Sequence, residues 1–529
     1  MSLRVLVLCS ALGSALTVVT ACGPSGAGIR ECAGGPTDTD TDPLNCGGCG
    51  NACAPGFMCF GGECYSGECV PGTVEDCYTG PEDTLGVGPC TGGTRTCQPG
   101  GTWSQCEGEV TPVGEDGPRC NDGIDNNCNG AIDEDEDRDG DGQSTCGGDC
   151  CDSTECDKPH LVNSGAFDAP GNNFDDDCNG LLDDTPLLCD QNIASNTSDP
   201  LEFARAIDIC QTTTEDELKW GVIDGSITFA DGTGSPDPEA YAVRPKFGNG
   251  VLPQGGVNLA IISTGGAAAP TDTNPGFHPF ESYTHRTPNE SGFPQDFFAA
   301  NNNQLPNAPG CPGPNGEEAN DPVMLTFRIK VPTNAKSFKL STNFFSAEFP
   351  EWTCSSFNDF FVVLLDSAYD GMPANPADKN LAFYQPQGST DKFPVGVNLA
   401  YGDTGLFTQC LNGTTGCSTS NGGTISTCIS TDHLTGTGFD VPDPGSCNAN
   451  SVTGGATGWL VTSGNVVPGE IITLRIGIWD TSDHSFDSLA VIDGFQWSTD
   501  LANPGTVIER VNPGLDPLPA SVGPTSVLY

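Results

Sequence analysis

From Val323 to Val331 the chain alternates: Val323, Leu325, Phe327, Ile329 and Val331 are separated by Met324, Thr326, Arg328 and Lys330. Successive side chains of a strand point to opposite faces, so this period of two predicts a β-strand with one face buried. Phe338, Leu340, Thr342 and Phe344 repeat the pattern, as do Ile472, Leu474, Ile476 and Ile478. The run FFVVLL from Phe360 to Leu365 has no polar side and predicts a strand covered on both faces. Shorter strands are expected from Val395 to Tyr401, Trp459 to Thr462 and Leu489 to Trp497. One helix is expected in DPLEFARAIDIC, where Asp199 is the N-cap, Pro200 takes N1, Glu202 lies in the first turn, and Phe203, Ile207 and Cys210 share a face. Many strands, Gly/Pro/Asn turns and one helix predict a mainly β chain, with a β-sandwich or jelly roll over residues 191–510 and a tail at 511–529. Two long loops, 267–316 and 409–455, hold Cys311, Cys410, Cys417, Cys428 and Cys447, which are expected to fasten them down.

Before residue 191 this periodicity fades. NCGGCGNACAPGFMCFGGEC, from Asn45 to Cys64, has five cysteines in twenty residues, far too little apolar surface for a core. Small cross-linked modules are therefore expected over residues 22–113, with short strands between Cys77 and Val110 where Thr and Trp sit among Gly turns. The spacing Cys46-Gly-Gly-Cys49 fits a redox or zinc pair as well as a structural disulfide, and the neighbouring cysteines Cys53, Cys59 and Cys64 favour the disulfide. Of 28 cysteines, twenty lie from Cys32 to Cys210 and six from Cys311 to Cys447; both counts are even, as an exported disulfide framework requires.

The start of the chain sets the expected compartment. Arg4, an apolar run from Val5 to Val19 and the sequence Val19-Thr20-Ala21-Cys22 resemble a lipoprotein signal peptide, which implies removal of residues 1–21 and a lipid on Cys22. Ordinary secretion after Ala21 is the alternative. The expected location is the outer membrane and cell surface, reached by the membrane only through the lipid. The Cys-rich region resembles the spacers of bacterial surface lipoproteins, including stigma-specific-protein-like modules.

Charge changes the picture in the middle of the chain. The net charge is −51, with 19 Lys+Arg against 70 Asp+Glu, which argues against nucleic acid and anionic membranes as direct partners and for divalent cations. The surplus is concentrated in residues 114–190: AIDEDEDRDGDG, from Ala131 to Gly142, has seven acidic residues in twelve. Carboxylates about 6 Å apart repel by roughly 0.7 kcal/mol per pair in water, so either cations neutralise this segment or it stays a solvated linker. Asp137, Asp139 and Asp141, followed by Gly142, alternate as in an EF-hand-like or thrombospondin-like calcium loop, which turns alternate side chains toward one ion. An EF-hand would close with Glu at its twelfth position; that position is Gly148, so Asp149 or Asp152 must complete the shell.

The segment also contains a repeat: DNNCNGAIDE at Asp125 to Glu134 returns as DDDCNGLLDD at Asp175 to Asp184. DGIDNNCNGAIDE resembles the metal-binding motif of MopE-type bacterial surface proteins, written D-G-x-D-N-D-C-D-G-x-x-D-E. The resemblance implies Asp122, Asp125, Asn127, Asn129 and Asp133 as ligands, with Asn127 and Asn129 where the motif has Asp, and Asp175, Asp177 and Asp183 in the second copy, where Asn172-Asn173 replaces Asp-Gly. Oxygen donors suit Ca²⁺ or Mn²⁺; copper would want imidazole or thiolate, and His160 is the segment's one histidine. Ca²⁺ is the expected ion.

FFSAEFPEWTCSSFNDFFVVLLD, from Phe344 to Asp366, and IGIWDTSDHSFDSLAVIDGFQW, from Ile476 to Trp497, resemble the choice-of-anchor L domain of bacterial surface proteins, with Ala347 where that family commonly has Glu. The resemblance spans roughly residues 198–500 and implies a surface location and a β-rich fold. Glu348, Glu351, Asp359, Asp480, Asp483 and Asp487 are expected either to gather round a second metal at one end of the sandwich or to cap separate strands and turns. G-x-S-x-G, P-loop, H-E-x-x-H and G-x-G-x-x-G signatures are absent, and His484 reads as a turn residue, so no enzymatic role is expected. The chain reads as a surface protein presenting a β-sandwich for adhesion or for binding polysaccharide or another cell-surface protein. The alternatives are a purely structural envelope or matrix protein and a carbohydrate-active hydrolase built on two converging carboxylates.

Overall fold

The computed structural model describes residues 28–508 except 100, 116, 134–136, 153–157, 184–187, 281–288, 315, 402–403, 418–424, 444–446, 448–450 and 453. The expected signal peptide, Cys22 and the C-terminal tail lie outside the described residues. The chain divides into two compact units, Met1–Asp135 and Glu136–Tyr529, so the division falls within the acidic segment. Among the described residues no helix is long and apolar enough to cross a membrane.

The first unit is built of small antiparallel hairpins: Ile29–Cys32 with Gly35–Asp38, Phe57–Phe60 with Glu63–Ser66, and Val74–Cys77 with Gly93–Thr96. Every buried apolar residue described in this unit is a half-cystine: Cys46, Cys59, Cys69, Cys90, Cys97 and Cys128. The disulfides run Cys32–Cys49, Cys46–Cys59, Cys53–Cys64, Cys69–Cys97, Cys77–Cys106 and Cys90–Cys128. Cys46 and Cys49 thus belong to two different bridges, and the approach of Cys46, Cys53 and Cys64 offers no thiolate to a metal.

The second unit is mainly β and centres on two antiparallel sheets. We number its strands β1 (Gly221–Thr228), β2 (Tyr241–Arg244), β3 (Leu259–Ser263), β4 (Ala319–Lys330), β5 (Ser337–Ser346), β6 (Phe360–Asp366), β7 (Leu460–Asn465), β8 (Ile471–Asp480), β9 (Ser488–Ser498) and β10 (Gly505–Val507). One sheet runs β1-β4-β8-β6, with the two-residue strand Glu290–Ser291 also on β4; the other runs β10-β7-β5-β9-β3-β2. The main core lies between them. Leu325, Phe327, Ile329, Phe361, Val363, Leu474 and Ile476 from the first sheet meet Phe338, Leu340, Phe344, Ile262, Ala490 and Ile492 from the second.

β4, β5 and β8 form where the alternation predicts them, because each turns its alternating apolar set into this core, and β9 covers the strand expected from Leu489 to Trp497. The outward set of β4 is not all polar in environment. Met324 is buried with Phe360, Val362, Leu364 and Trp479 in a second cluster, under a short helix, α2 (Gln295–Ala300), that contributes Phe297. That cover accounts for FFVVLL: Phe361, Val363 and Leu365 face the sandwich interior and the other three face the α2 side. Arg475 donates to both carboxylate oxygens of Asp296, at 3.0 and 2.5 Å, and Lys379 Nζ donates at 2.9 Å, tethering the first turn of α2 to the sheet. The outer side of the second sheet is covered in turn by Phe247, Phe280 and Phe439 from loops, packed on Phe345.

Two local expectations change. The helix α1 spans Pro200–Ala206, capped by Asp199 Oδ1 on the Leu201 N–H, and stops before Ile207 and Cys210, because Ile207 leaves helical geometry (ψ 21°). The expected strand from Val395 to Tyr401 is a two-residue pairing at Phe393–Pro394 followed by a 3₁₀ turn, Val397–Ala400; its side chains pack into the core as a loop rather than joining either sheet. The loop cysteines pair as Cys311–Cys354, Cys410–Cys428 and Cys417–Cys447.

Candidate metal centres

The loop from Asp137 to Asp152 is closed by its own carboxylates. Asp137 accepts from the Gly140 N–H (2.7 Å) and the Gly142 N–H (2.9 Å), and Asp139 and Asp141 each accept from the backbone N–H two residues on. Gly140 and Gly142 have φ of 80° and 93°, so the bend is made where a side chain would be strained. The turn brings oxygens of Asp137, Asp139 and Asp141 within 4.8 Å of one another, and does the same for Asp139, Asp149 and Asp152. Asp139 belongs to both groups. Asp149 and Asp152, expected to stand in for the ligand that Gly148 cannot supply, are buried at 2% and 7% exposure.

Two oxygens in this loop, Asp139 Oδ2 and Asp149 Oδ2, are buried without a hydrogen-bond partner. Burial, reinforced by Asp141, Asp139 and Asp152, pushes Asp149 up to about 6; burial and the same kind of crowding also raise Asp139. Acids arranged in this way favour a cation that supplies what the fold withholds. One residue that the sequence pattern did not single out ties the loop to the sandwich. Asn163 donates to Asp141 through Nδ2, and its Oδ1 accepts from Gln143 Nε2 (3.0 Å), the Gly165 N–H (2.9 Å) and Thr333 Oγ1 (2.6 Å) at the turn between β4 and β5. Phe167 and Asn334 add two mutual backbone–side-chain bonds at 3.0 and 2.9 Å.

The two repeat copies have the same internal wiring. Asp125 accepts from the N–H groups of Asn129 and Gly130, and Asp175 from those of Asn179 and Gly180. Asn127 and Asp177 each accept from the N–H two residues on, as do Asn129 and Asn179. Asp133 receives the N–H groups of Asp122 and Gly123; Asp183 receives those of Gly171, Asn172 and Asn173. Asp122 occupies the place of Asn172, each bonding the N–H two residues on. Cys128 and Cys178 take positive φ, 58° and 60°, and sit in the disulfides Cys90–Cys128 and Cys150–Cys178. A backbone-bonded carboxylate oxygen keeps a second lone pair, so these oxygens still suit a hard cation, whereas both repeat sulfurs are oxidised and His160 is exposed.

A third constellation lies within the sandwich unit. Glu348 follows β5, Asp359 precedes β6 and Asp480 ends β8; their oxygens lie within 4.8 Å of one another, and the residues are 2%, 0% and 2% exposed. Burial above all, then mutual repulsion, holds Glu348 and Asp480 well above the usual carboxylate range, and burial, helped by the charges of Asp483 and Asp321 and opposed by hydrogen bonds with Asp480 and Ser488, pushes Asp359 up to about 7. Asp483 adds its charge to all three while accepting from the Ser485 N–H at 2.9 Å. Of the six acids expected to gather here, Glu351, Asp483 and Asp487 are outside the three-residue group. His484 pairs with Asp321 (2.7 Å) and Glu290 (3.5 Å), neither of which its local sequence pointed to.

Residues 110–134 and 157–184 match the family described as "Putative metal-binding motif", the MopE type. The chain therefore carries a metal-binding motif in two copies, and the Asp137–Asp152 loop lies between the matched stretches. No curated protein and no solved structure matches the chain.

Proposed function

We propose that this is a lipid-anchored cell-surface protein whose acidic segment binds Ca²⁺ and thereby stiffens the chain next to a β-sandwich that engages extracellular polysaccharide or a cell-surface protein. The reading rests on the paired oxygen clusters around Asp139, which combine alternating carboxylates, permissive glycines and two buried oxygens with no partner. Its donors are all oxygen, as a hard divalent ion prefers. A bound ion would supply the positive charge that holds these carboxylates together. The wiring from Asp141 through Asn163 to Thr333 would pass that rigidity to the sandwich. The role is non-catalytic, and the anchor would be the lipid on Cys22.

The test is calcium titration of the full oxidised chain, followed by limited proteolysis. Protection of residues 137–183 with a midpoint on the order of 10⁻⁴ to 10⁻³ M Ca²⁺ is expected. Unchanged cleavage at millimolar Ca²⁺ would leave only a solvated, disulfide-held linker. Incorporation of a labelled fatty acid by the wild-type chain but not by Cys22→Ser checks the anchor.

A further inference from the structure

We infer that Glu348, Asp359 and Asp480 form a separate, enclosed site for a calcium-like divalent cation that clasps the two sheets of the sandwich at one end. Three acidic side chains meet here with almost no access to water, and oxygens are left over: Glu348 Oε2 and Asp480 Oδ1 are buried without a hydrogen-bond partner, and the polar neighbours of Asp359 are the Asp480 carboxyl and the Ser488 hydroxyl, neither of them a cation. Asp359 is wholly buried, and an oxygen of it lies within 4.8 Å of one from Glu348 and one from Asp480. A buried carboxyl group is neutralised by a proton, a cationic side chain or a metal, and three acids facing one another leave room for the last. The nearest sequence candidate for a counter-charge, His484, is engaged by Asp321 and Glu290.

The geometry selects the class of ion. Two oxygens on one calcium ion lie at most about 4.8–5 Å apart, twice a Ca–O bond, and the three carboxylates meet that limit as they stand. Sulfur is excluded, because Cys354, in the same loop as Glu348 and Asp359, is bridged to Cys311. The placement gives the ion its structural role. Phe360 pairs with Trp479, so Asp359 and Asp480 flank one rung of the first sheet, while Glu348 comes directly from the end of β5 in the second. One ion on all three joins strands that the main-chain ladders do not connect.

The test uses the full oxidised chain, saturated with Ca²⁺ and then passed through calcium-free buffer, with retained calcium counted by atomic emission. Wild type should retain one more Ca²⁺ per chain than Asp359→Asn or Glu348→Gln, while the double variant Asp139→Asn/Asp149→Asn should keep that ion even though its acidic loop no longer responds to calcium. EDTA should lower the melting temperature of the wild-type sandwich, Ca²⁺ should restore it, and Mg²⁺ should not. Equal retention in wild type and Asp359→Asn would overturn the site. If neither carboxylate variant folds, the wild-type chain decides alone: a melting temperature indifferent to chelation also overturns it. Loss of protection only at residues 137–183 would count against the acidic loop and leave this site standing.

Discussion

The two units solve the same entropic problem by different means. In Met1–Asp135 the described buried apolar residues are all half-cystines, and large side chains such as Ile29 (63% exposed) and Val74 (61%) face solvent. In Glu136–Tyr529 three hydrophobic clusters carry the sheets, with Phe327, Phe338, Phe344 and Phe361 essentially sealed from water. A short hairpin cannot bury enough surface to offset the ordering of its own backbone, so cross-links must shrink the unfolded ensemble instead. A strand of ten or twelve residues between two sheets can. The acidic loop is cross-linked too, through Cys146, Cys150 and Cys151, but it also buries the carboxyl groups of Asp149 and Asp152, and this is why a cation is its natural third means of support.

That contrast can be broken most severely by reduction. Each bridge closing a loop of this size contributes about 2–4 kcal/mol, so dithiothreitol under native conditions should render residues 28–133 protease-sensitive while β4, β5 and β8 stay protected. Mass spectrometry of the fragments reads the order, and early loss of the sandwich would reverse the comparison. Next in size, Phe327→Ala should destabilise the sandwich by about 3–5 kcal/mol, whereas Ile29→Ala in the first unit should stay within about 0.5 kcal/mol; thermal unfolding checks both. Asn163→Leu removes a buried amide bonded to Asp141, Gln143 and Thr333 and should cost about 1–3 kcal/mol, with weakened calcium protection of residues 137–152.

The smallest expected effect depends on pH. Burial alone would raise Asp296, but hydrogen bonds from Arg475 and Lys379 outweigh it and hold this carboxyl well below its usual range. A depressed folded-state value means the contribution is complete above the unfolded value, near 3.8, and is lost as pH falls below it toward the folded value. Asp296→Asn should therefore flatten the acid limb of the stability curve below about pH 4, by on the order of 1 kcal/mol, because 35% of the side chain is open to screening solvent. An unchanged acid limb would show that α2 is held by Phe297 and its packing alone.

Much of the sandwich was legible from single runs of residues, because a period of two states which face is buried whatever the partner strand is. The approach of Asp149 and Asp152 to Asp139 was legible for a similar local reason: a loop of alternating carboxylates without an acid at its twelfth position points to the next acids along the chain. The helix α2 was not, since six residues beginning Gln-Asp-Phe-Phe after Pro294 are too short for a helical period and have no side-chain cap. With α2 unseen, Met324 read as a solvent-facing position. Asn163 was equally silent, a single amide whose partners stand as much as 170 residues away.

The chain alone determined the kinds of support this protein uses: alternating apolar strands, dense cysteine and concentrated carboxylate, each a property of neighbouring residues. Which cysteines bond, and which three of six candidate acids meet at Glu348, Asp359 and Asp480, was decided only by the tertiary structure. Those outcomes depend on distances between segments far apart in sequence. Such distances are set when strand register and sheet packing settle together, and no local pattern encodes them.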